Sequence, residues 1–237
     1  MKKRGKQYQD AQKTISYEKT YELKEAVDTL KGVSTAKFDE TVELHLRTNV
    51  DTRHADQMVR GVAQLPHGLG KQIRVLVFAD GEAATIARDA GADYIADSDV
   101  MKQIEGGWTD FEVGLAVPDM MSKIGKLGRV LGRKGLMPNP RTGTMVQQQD
   151  LPKAINDAKK GRVEYKTDRT SLIHCPVGKK SFSSVHLTDN VASLMNAEVK
   201  SNPTVVKGMF IRAAYLTSTM GPSIPLDVNE LTSIKID

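Results

Sequence analysis

The stretch Ile73-Arg74-Val75-Leu76-Val77-Phe78 decides how this chain divides, because the hydrophobic pattern changes there. Such nearly continuous apolar sequence is typical of a strand that is covered on both faces of a parallel sheet. Two more strand candidates follow, at residues 93–95 and 111–117, and helix candidates lie between the strands. This alternation predicts a parallel α/β unit with right-handed crossovers, a Rossmann-like domain.

The sequence on either side of this unit has a different, antiparallel character. Residues 42–46 alternate between apolar and polar side chains, which predicts a strand with one buried face. Residues 162–166 and 171–175 flank a turn and predict a hairpin. We therefore predict a discontinuous α+β domain with an α/β domain inserted into it: residues 1–67 and 160–237 for the first, and residues 68–159 for the second.

Charge is unevenly distributed along the 237 residues, which carry 34 Lys and Arg, 29 Asp and Glu, and a formal net charge of +5. Residues 122–149 contain six cations and no acid, and residues 158–181 contain seven cations and two acids. Residues 1–13 are also basic, whereas residues 80–121 contain ten acids and two cations. This asymmetry indicates that a polyanion contacts only certain surfaces of the protein.

Several classes of protein are excluded by what the sequence lacks. Cys175 is the only cysteine, so the chain has no internal disulfide, no Cys-based zinc site and no CxxC redox pair. No apolar run approaches the ~18–20 residues that cross a bilayer. The basic residues 1–6 are not followed by the apolar stretch of a signal peptide. We therefore expect a cytoplasmic protein that does not contact a membrane.

The motifs of nucleotide-dependent enzymes are incomplete. A phosphate-binding loop fails because Leu65 stands in place of its first glycine and Gln72 in place of its hydroxyl residue. After the strand at 73–78, Gly81 stands alone between two acids, which would repel a pyrophosphate. The histidines show no metal-ligand spacing, and the acids of 80–121 are explained more simply by helix capping and solvated surface than by Mg²⁺. We predict no catalytic residue, no metal and no cofactor, with a Rossmann enzyme as the alternative.

The segment Ser122–Thr144 combines cations with glycines at helical spacing. On a helix, most of its cations share one face, and Gly125, Gly128 and Gly132 share another. Three interior glycines cost a helix roughly 3 kcal/mol relative to alanine, so we expect either close packing against another backbone or N–H groups exposed to phosphate. The cations form a secondary basic zone: Lys123, Lys126, Arg129, Arg133, Lys134 and Arg141.

Two shorter motifs suit contact with RNA. Residues 217–223 offer hydroxyls, a methionine and a glycine at the end of a predicted strand, where a sugar-phosphate backbone could approach closely. The alternative is a polar Gly-Pro turn, which is common at the end of a strand. Lys37 and Phe38 precede the strand at 42–46 and could supply a charge and a stacking ring, with core packing of the ring as the alternative.

Together these motifs resemble the large-ribosomal-subunit protein L-one family over essentially the whole chain. The sequence departs from the family's usual pattern at Thr52, Leu69 and Cys175, and these departures put no inferred RNA contact in doubt. The resemblance is carried by these stretches: residues 36–43, 59–61, 65–68, 128–144, 174–179 and 219–223.

The resemblance implies a non-enzymatic, two-domain protein of the ribosome's mobile stalk, whose terminal domain grips a folded segment of large-subunit ribosomal RNA. It also implies contacts with other ribosomal components, a role in releasing deacylated tRNA from the exit site, repression of its own messenger RNA, and a monomer off the ribosome. The basic zone would add secondary RNA contacts or face passing tRNA. A transient assembly factor remains the alternative. The principal RNA contacts would be Lys37, Phe38, Thr41, Lys166, Thr217, Thr219, Met220 and Gly221.

Overall fold

The computed structural model describes residues 5–54, 56–201 and 208–234. The chain divides into two compact units, which we call the terminal unit (Met1–Gly70 with Val163–Asp237) and the middle unit (Lys71–Arg162). Of the basic N-terminal residues noted above, Lys2, Lys3 and Arg4 lie outside the described residues.

The order of helices and strands along the chain agrees with the change of hydrophobic pattern in the sequence. None of the described helices is long and apolar enough to cross a lipid bilayer. In chain order the elements are α1 (Lys6–Lys13), α2 (Leu23–Val33), β1 (Thr41–Thr48), β2 (Arg60–Gln64), β3 (Val75–Phe78), α3 (Glu82–Asp89), β4 (Tyr94–Ile95), α4 (Ser98–Glu105), β5 (Val113–Ala116), α5 (Met121–Ile124), α6 (Gly128–Lys134), α7 (Leu151–Lys159), β6 (Arg162–Lys166), β7 (Leu172–Lys179), α8 (Ser184–Lys200), β8 (Ile211–Ser218), β9 (Ile224–Leu226) and α9 (Val228–Ser233).

The terminal unit is built on a four-stranded antiparallel sheet in the order β7-β1-β8-β9. Leu44 of β1 lies opposite Cys175 of β7 and Leu216 of β8, and all three are buried. Alternate residues of β1 belong to one hydrophobic core with residues of α2 and α8, such as Val27 and Val191. The alternation predicted at 42–46 is thus confirmed.

The hairpin predicted from residues 162–166 and 171–175 is wrong. The two stretches form β6 and β7, but β6 pairs with β2 in a separate two-stranded sheet, and β7 pairs with β1. The chain does turn between them, where Asp168 Oδ1 accepts hydrogen bonds from the N–H groups of Thr170 and Leu172. Just before the turn, the Thr167 N–H donates to Val59 O at 2.9 Å, so the chain there is already bound to the segment that leads into β2.

The middle unit contains a three-stranded parallel sheet in the order β4-β3-β5. Val75 and Val77 of β3 pack in one hydrophobic cluster, which includes residues of α3 and α7. Leu76 and Phe78 pack in a second cluster, with residues of α4, α5 and α6. Because β3 is covered on both faces, its apolar run is continuous. The fold class, mixed α/β and α+β, is confirmed.

Candidate nucleic-acid interface

Two loops of the terminal unit meet at one end of the four-stranded sheet. One joins α2 to β1, and the other is the turn between β8 and β9. The Thr41 N–H donates to Thr219 Oγ1 at 3.0 Å, and the Thr219 N–H donates to Thr41 O at 3.1 Å. These two bonds extend the pairing of β1 with β8 beyond Ser218, so the start of the turn is held against the start of β1.

A buried carboxylate lies under the same turn. Glu40 is 0% exposed, and its Oε1 accepts the Met220 N–H at 2.9 Å and the Ser218 hydroxyl at 3.2 Å. The Gly221 N–H donates to Ser218 O at 3.1 Å. A Cβ on Gly221 would overlap Ser218 Oγ. Position 221 therefore admits only glycine for as long as that hydroxyl lies beneath it.

The surface of this loop pair is apolar and cationic. Phe38 is 54% exposed and Met220 is 62% exposed, and both line a cleft of about 470 Å³ together with Lys37 and Gly221. Core packing, the alternative for Phe38, is thus wrong. Lys37 has no hydrogen bond or ion pair within the described part of the chain. Two exposed large apolar side chains beside a free cation are unusual on a surface and indicate a contact site.

The other two predicted RNA contacts, Thr217 and Lys166, lie at different places relative to the loop pair. Thr217 lies on β8 opposite Glu43, two residues before Thr219, and its hydroxyl donates to Ser218 O. Lys166 is exposed at the end of β6, in the two-stranded sheet, and no hydrogen bond or ion pair among the described residues joins it to the loop pair. The structure therefore brings together six predicted residues: Lys37, Phe38, Thr41, Thr219, Met220 and Gly221.

Several residues that organise the loop pair were not found from the sequence. Glu40 is one, since no pattern marks an acid as buried. Lys179 is another: its ammonium donates to Thr41 Oγ1 at 2.9 Å, and only its membership of the basic stretch 158–181 hinted at it. The carboxylate of Asp39 accepts hydrogen bonds from the N–H and the hydroxyl of Ser181. These contacts tie the C-terminal end of β7 and the start of β1 to the loop that carries Lys37.

The outward face of the sheet carries a row of rings next to the loop pair. His45 lies opposite His174 on one side and Tyr215 on the other. The Nδ1 atoms of the two histidines are 2.7 Å apart, and burial together with His174 lowers the pKa of His45. Aromatic rings on an open sheet can stack on bases. Within residues 5–54, 56–201 and 208–234, no group of three or more His, Cys, Asp and Glu side chains could hold a metal ion.

In the middle unit, part of the predicted basic zone is paired and part is free. Lys123 forms an ion pair with Asp80, and Lys134 donates to the Thr109 hydroxyl. No hydrogen bond or ion pair within the described residues engages the side chain of Arg141. The same holds for the three cations that line a cleft of about 560 Å³ with Lys134: Lys126, Arg129 and Arg133.

The glycines beside these cations are not packed. The segment forms α5, a 3-10 turn (Gly125–Leu127) and α6. A Cβ added to Gly125, Gly128 or Gly132 would meet no described atom within 4 Å outside its own helix and chain neighbours. Close packing against another backbone, one of the two expectations for this motif, is therefore wrong for the described part of the chain. Bare backbone is instead exposed next to free cations.

The single cysteine has no nucleophilic character. Cys175 is buried in β7, and burial raises the pKa of its thiol far above the usual range. A thiol that stays protonated is a poor nucleophile and a poor metal ligand. Its Sγ donates to Glu198 Oε1 at 3.8 Å, so it belongs to the core of the unit.

Comparison with known proteins shows which family the sequence is similar to. The sequence model described as "Ribosomal protein L1p/L10e family" matches residues 30–222. A Dehalococcoides mccartyi protein named "Large ribosomal subunit protein uL1" is 51% identical over 230 residues, which cover 97% of this chain and 97% of that protein. Proteins of the same name from Thermomicrobium roseum and Limosilactobacillus reuteri are 51% and 49% identical, over 96% of this chain and over 95% and 98% of their own lengths.

The resemblance drawn from the motifs is confirmed by these matches. The family model covers the α2–β1 loop, the middle unit and the β8–β9 turn, all within one continuous match. Because that match spans most of the sequence, and because the relatives are about half identical over nearly their full length, this chain belongs to the ribosomal protein L1p/L10e family.

Proposed function

We propose that this chain binds a folded segment of large-subunit ribosomal RNA through the loop pair of its terminal unit. As a member of its family the chain is a structural, non-enzymatic component of the large ribosomal subunit, and it works with the ribosome in the cytoplasm. The terminal unit would be the RNA-binding domain, and the middle unit would be a domain inserted into it.

One observation carries this proposal: the loop pair is held rigidly by hydrogen bonds, yet its outer side chains are free. Thr219 is fixed by Thr41, while Met220 and Phe38 are more than half exposed beside Lys37, whose ammonium has no partner in the part of the chain that the structure describes. A rigid surface loses little conformational entropy on binding. Short hydroxyls suit RNA 2′-OH groups, and an ammonium suits a phosphate.

A filter-binding titration of the full chain with an RNA of the mobile stalk tests the proposal. We expect saturable binding that weakens as salt is raised, because phosphate contacts release counterions. An unrelated folded RNA of the same length is the control. Equal affinity for both RNAs at every salt concentration would contradict specific recognition.

Replacing Met220 by Ala is expected to weaken binding of the stalk RNA by ~1–3 kcal/mol, since an exposed side chain would lose its contact in the complex. The salt dependence should not change, because no charge is removed. Met209→Ala is the matched control: Met209 is 63% exposed, lies in the same unit and lines a different cleft. Equal effects of the two substitutions would argue against the loop pair.

Replacing Lys166 by Ala is expected to lower the slope of log affinity against log salt by about one unit, because one phosphate contact is lost. Lys24→Ala is the control, since Lys24 is exposed on α2 and is not a proposed contact. An unchanged slope for Lys166→Ala would remove this residue from the interface, and it would leave the loop pair untouched because Lys166 lies in the other sheet.

The middle unit would make a secondary contact with RNA, either ribosomal RNA or the tRNA that leaves the exit site. Lys126, Arg129 and Arg133 are free cations beside bare backbone, and such a surface admits a phosphate closely. Release of deacylated tRNA and repression of the chain's own messenger RNA are further parts of the proposal. The latter would require the messenger to compete with ribosomal RNA for the loop pair.

Gly128→Ala tests why the basic zone keeps its glycines. We expect the middle unit to become more stable by about 0.5–1 kcal/mol, because alanine favours the helix and its Cβ meets no neighbour. Trp108, the only tryptophan, lies in this unit, so its fluorescence during urea unfolding measures the change. Weaker tRNA binding by the more stable variant would support close approach of RNA. A loss of stability would show that the glycine has a packing role.

A transient assembly factor is the competing function, and the relatives' shared name favours a resident protein. Sedimentation of mature large subunits at raised salt separates the two. We expect the chain to stay with the subunits, and its complete loss from them would support the assembly factor.

A further inference from the structure

Two consecutive residues hold the turn that presents Thr219 and Met220. Thr41 holds Thr219 through the reciprocal bonds of 3.0 and 3.1 Å, and Glu40 holds Met220 through its N–H at 2.9 Å. Thr41 is itself a proposed RNA contact, whereas Glu40 is 0% exposed and cannot touch RNA in this conformation. Glu40 therefore acts from beneath the surface.

Only one of the two carboxylate oxygens of Glu40 accepts hydrogen bonds from described residues. Its Oε1 accepts both Met220 N–H and Ser218 Oγ, whereas its Oε2 is buried without a hydrogen-bond partner in the described residues. Burial of a carboxylate oxygen without a partner is unfavourable. Among the described residues, the side-chain hydrogen bonds of Glu40 all go to Ser218 and Met220, so its carboxylate serves the shape of this turn.

We propose that Glu40 is a positioning residue for RNA binding. It fixes the conformation in which the turn points the Met220 side chain outward and keeps Ser218 Oγ under Gly221. This inference rests on the proposed function, because it assigns Glu40 to the site that is proposed to bind RNA. Without the carboxylate, the Met220 N–H would have to find another partner, and the turn would leave the conformation that RNA selects.

Glu198 provides a matched control within the same unit. It too is 0% exposed, and its Oε2 too is buried without a partner in the described residues. Its one side-chain partner among the described residues is Cys175, and it lies in α8 rather than at the loop pair. Substitutions at the two glutamates therefore remove buried carboxyl groups of the same size, but only Glu40 bonds the turn.

The experiment measures RNA affinity and backbone protection in the full chain, well below its unfolding temperature. Filter binding uses the stalk RNA at constant salt, and NMR hydrogen exchange follows the Met220 amide in the free protein. We expect Glu40→Ala to bind RNA about tenfold or more weakly, and its Met220 amide to exchange faster. Glu40→Gln should stay within about threefold of the unmodified chain, because a carboxamide oxygen still accepts the Met220 N–H. Glu198→Ala should bind as the unmodified chain does.

Three results would overturn the inference: Glu40→Ala binds RNA as tightly as the unmodified chain, Glu40→Gln is as weak as Glu40→Ala, or Glu198→Ala is equally weak. If Glu40→Ala does not fold, Glu40→Asp takes its place, since a shorter carboxylate retreats from the turn, and unchanged affinity would count against the inference. If the unmodified chain fails to bind the RNA, the proposed function itself is wrong. The Met220 exchange rate separates that case, because it reports the hydrogen bond from the Met220 N–H to Glu40 in the absence of RNA.

Discussion

Replacing Glu198 by Gln is expected to stabilise the terminal unit by about 3 kcal/mol at pH 7. Glu198 is buried in α8, and burial raises the pKa of its carboxyl from 4.5 to about 8. The hydrogen bond from Cys175 lowers this pKa and only partly offsets the effect of burial. At pH 7 the folded chain must therefore bind a proton that the unfolded chain does not hold, and glutamine removes this requirement.

The pH dependence follows from the same raised pKa. A carboxyl whose pKa is higher in the folded state contributes its full stability below pH 4.5, and that contribution is lost as pH rises to about 8. The free energy of unfolding of the unmodified chain should fall across this window and level off above it. For Glu198→Gln this fall should be absent, so the two curves diverge as pH rises.

Urea unfolding followed by circular dichroism at pH 5, 7 and 8.5 measures the difference between the two curves. Glu18→Gln is the control, since Glu18 is exposed in the same unit and its variant should follow the unmodified chain. Parallel curves for Glu198→Gln and the unmodified chain would mean that water or a cation reaches the carboxylate in the folded state. RNA affinity should be unchanged by Glu198→Gln, because the side chain of Glu198 bonds Cys175 and no described hydrogen bond joins it to the loop pair.

The local sequence pattern predicted the helices and strands of this fold better than it predicted which strands pair with each other. The continuous apolar run at 73–78 correctly indicated a strand covered on both faces, because a strand that is buried on both sides needs an apolar side chain at nearly every position. Residues 162–166 and 171–175 were also correctly predicted as strands. Their pairing was wrong, because β6 is bonded to β2, a segment almost a hundred residues away in sequence, and no local signal records such a partner.

The residues of the candidate site also differ in how well the sequence predicted them. Its outward residues, such as Phe38 and Met220, were found because their chemistry suits RNA and because the motifs resemble a family. The buried residues that shape it were not found, since the sequence does not distinguish Glu40 from an exposed acid. The same limit hid Glu198. A buried carboxyl group depends on three-dimensional neighbours, here Ser218, which is 178 residues from Glu40, and Cys175, which is 23 residues from Glu198.

Replacing Gly221 by Ala is expected to weaken stalk-RNA binding by about 100-fold. The backbone φ of Gly221 lies outside the left-handed region, so alanine suits the backbone itself. The obstacle is Ser218, whose hydroxyl occupies the place of the new Cβ and is hydrogen-bonded to Glu40. The methyl group must displace the hydroxyl or open the turn, and either change also costs stability.

The double substitution Ser218→Ala with Gly221→Ala separates packing from RNA contact. Without the hydroxyl, the nearest neighbours of the new Cβ are Ser218 Cβ at 3.6 Å and its backbone nitrogen at 3.9 Å, which are ordinary contacts. We expect the double variant to recover the stability that Gly221→Ala loses, apart from about 1 kcal/mol for the lost Ser218 hydrogen bond. Ser218→Ala alone measures that last contribution.

RNA affinity should not recover with stability in the double variant. If RNA backbone approaches position 221 closely, the extra methyl group blocks it whether or not the turn is relaxed. Filter binding of the stalk RNA by all three variants, each checked for folding by circular dichroism, decides between the two roles of this glycine. Full recovery of affinity in the double variant would mean that Gly221 serves only to accommodate Ser218. The RNA would then contact Thr219 and Met220 without reaching the backbone behind them.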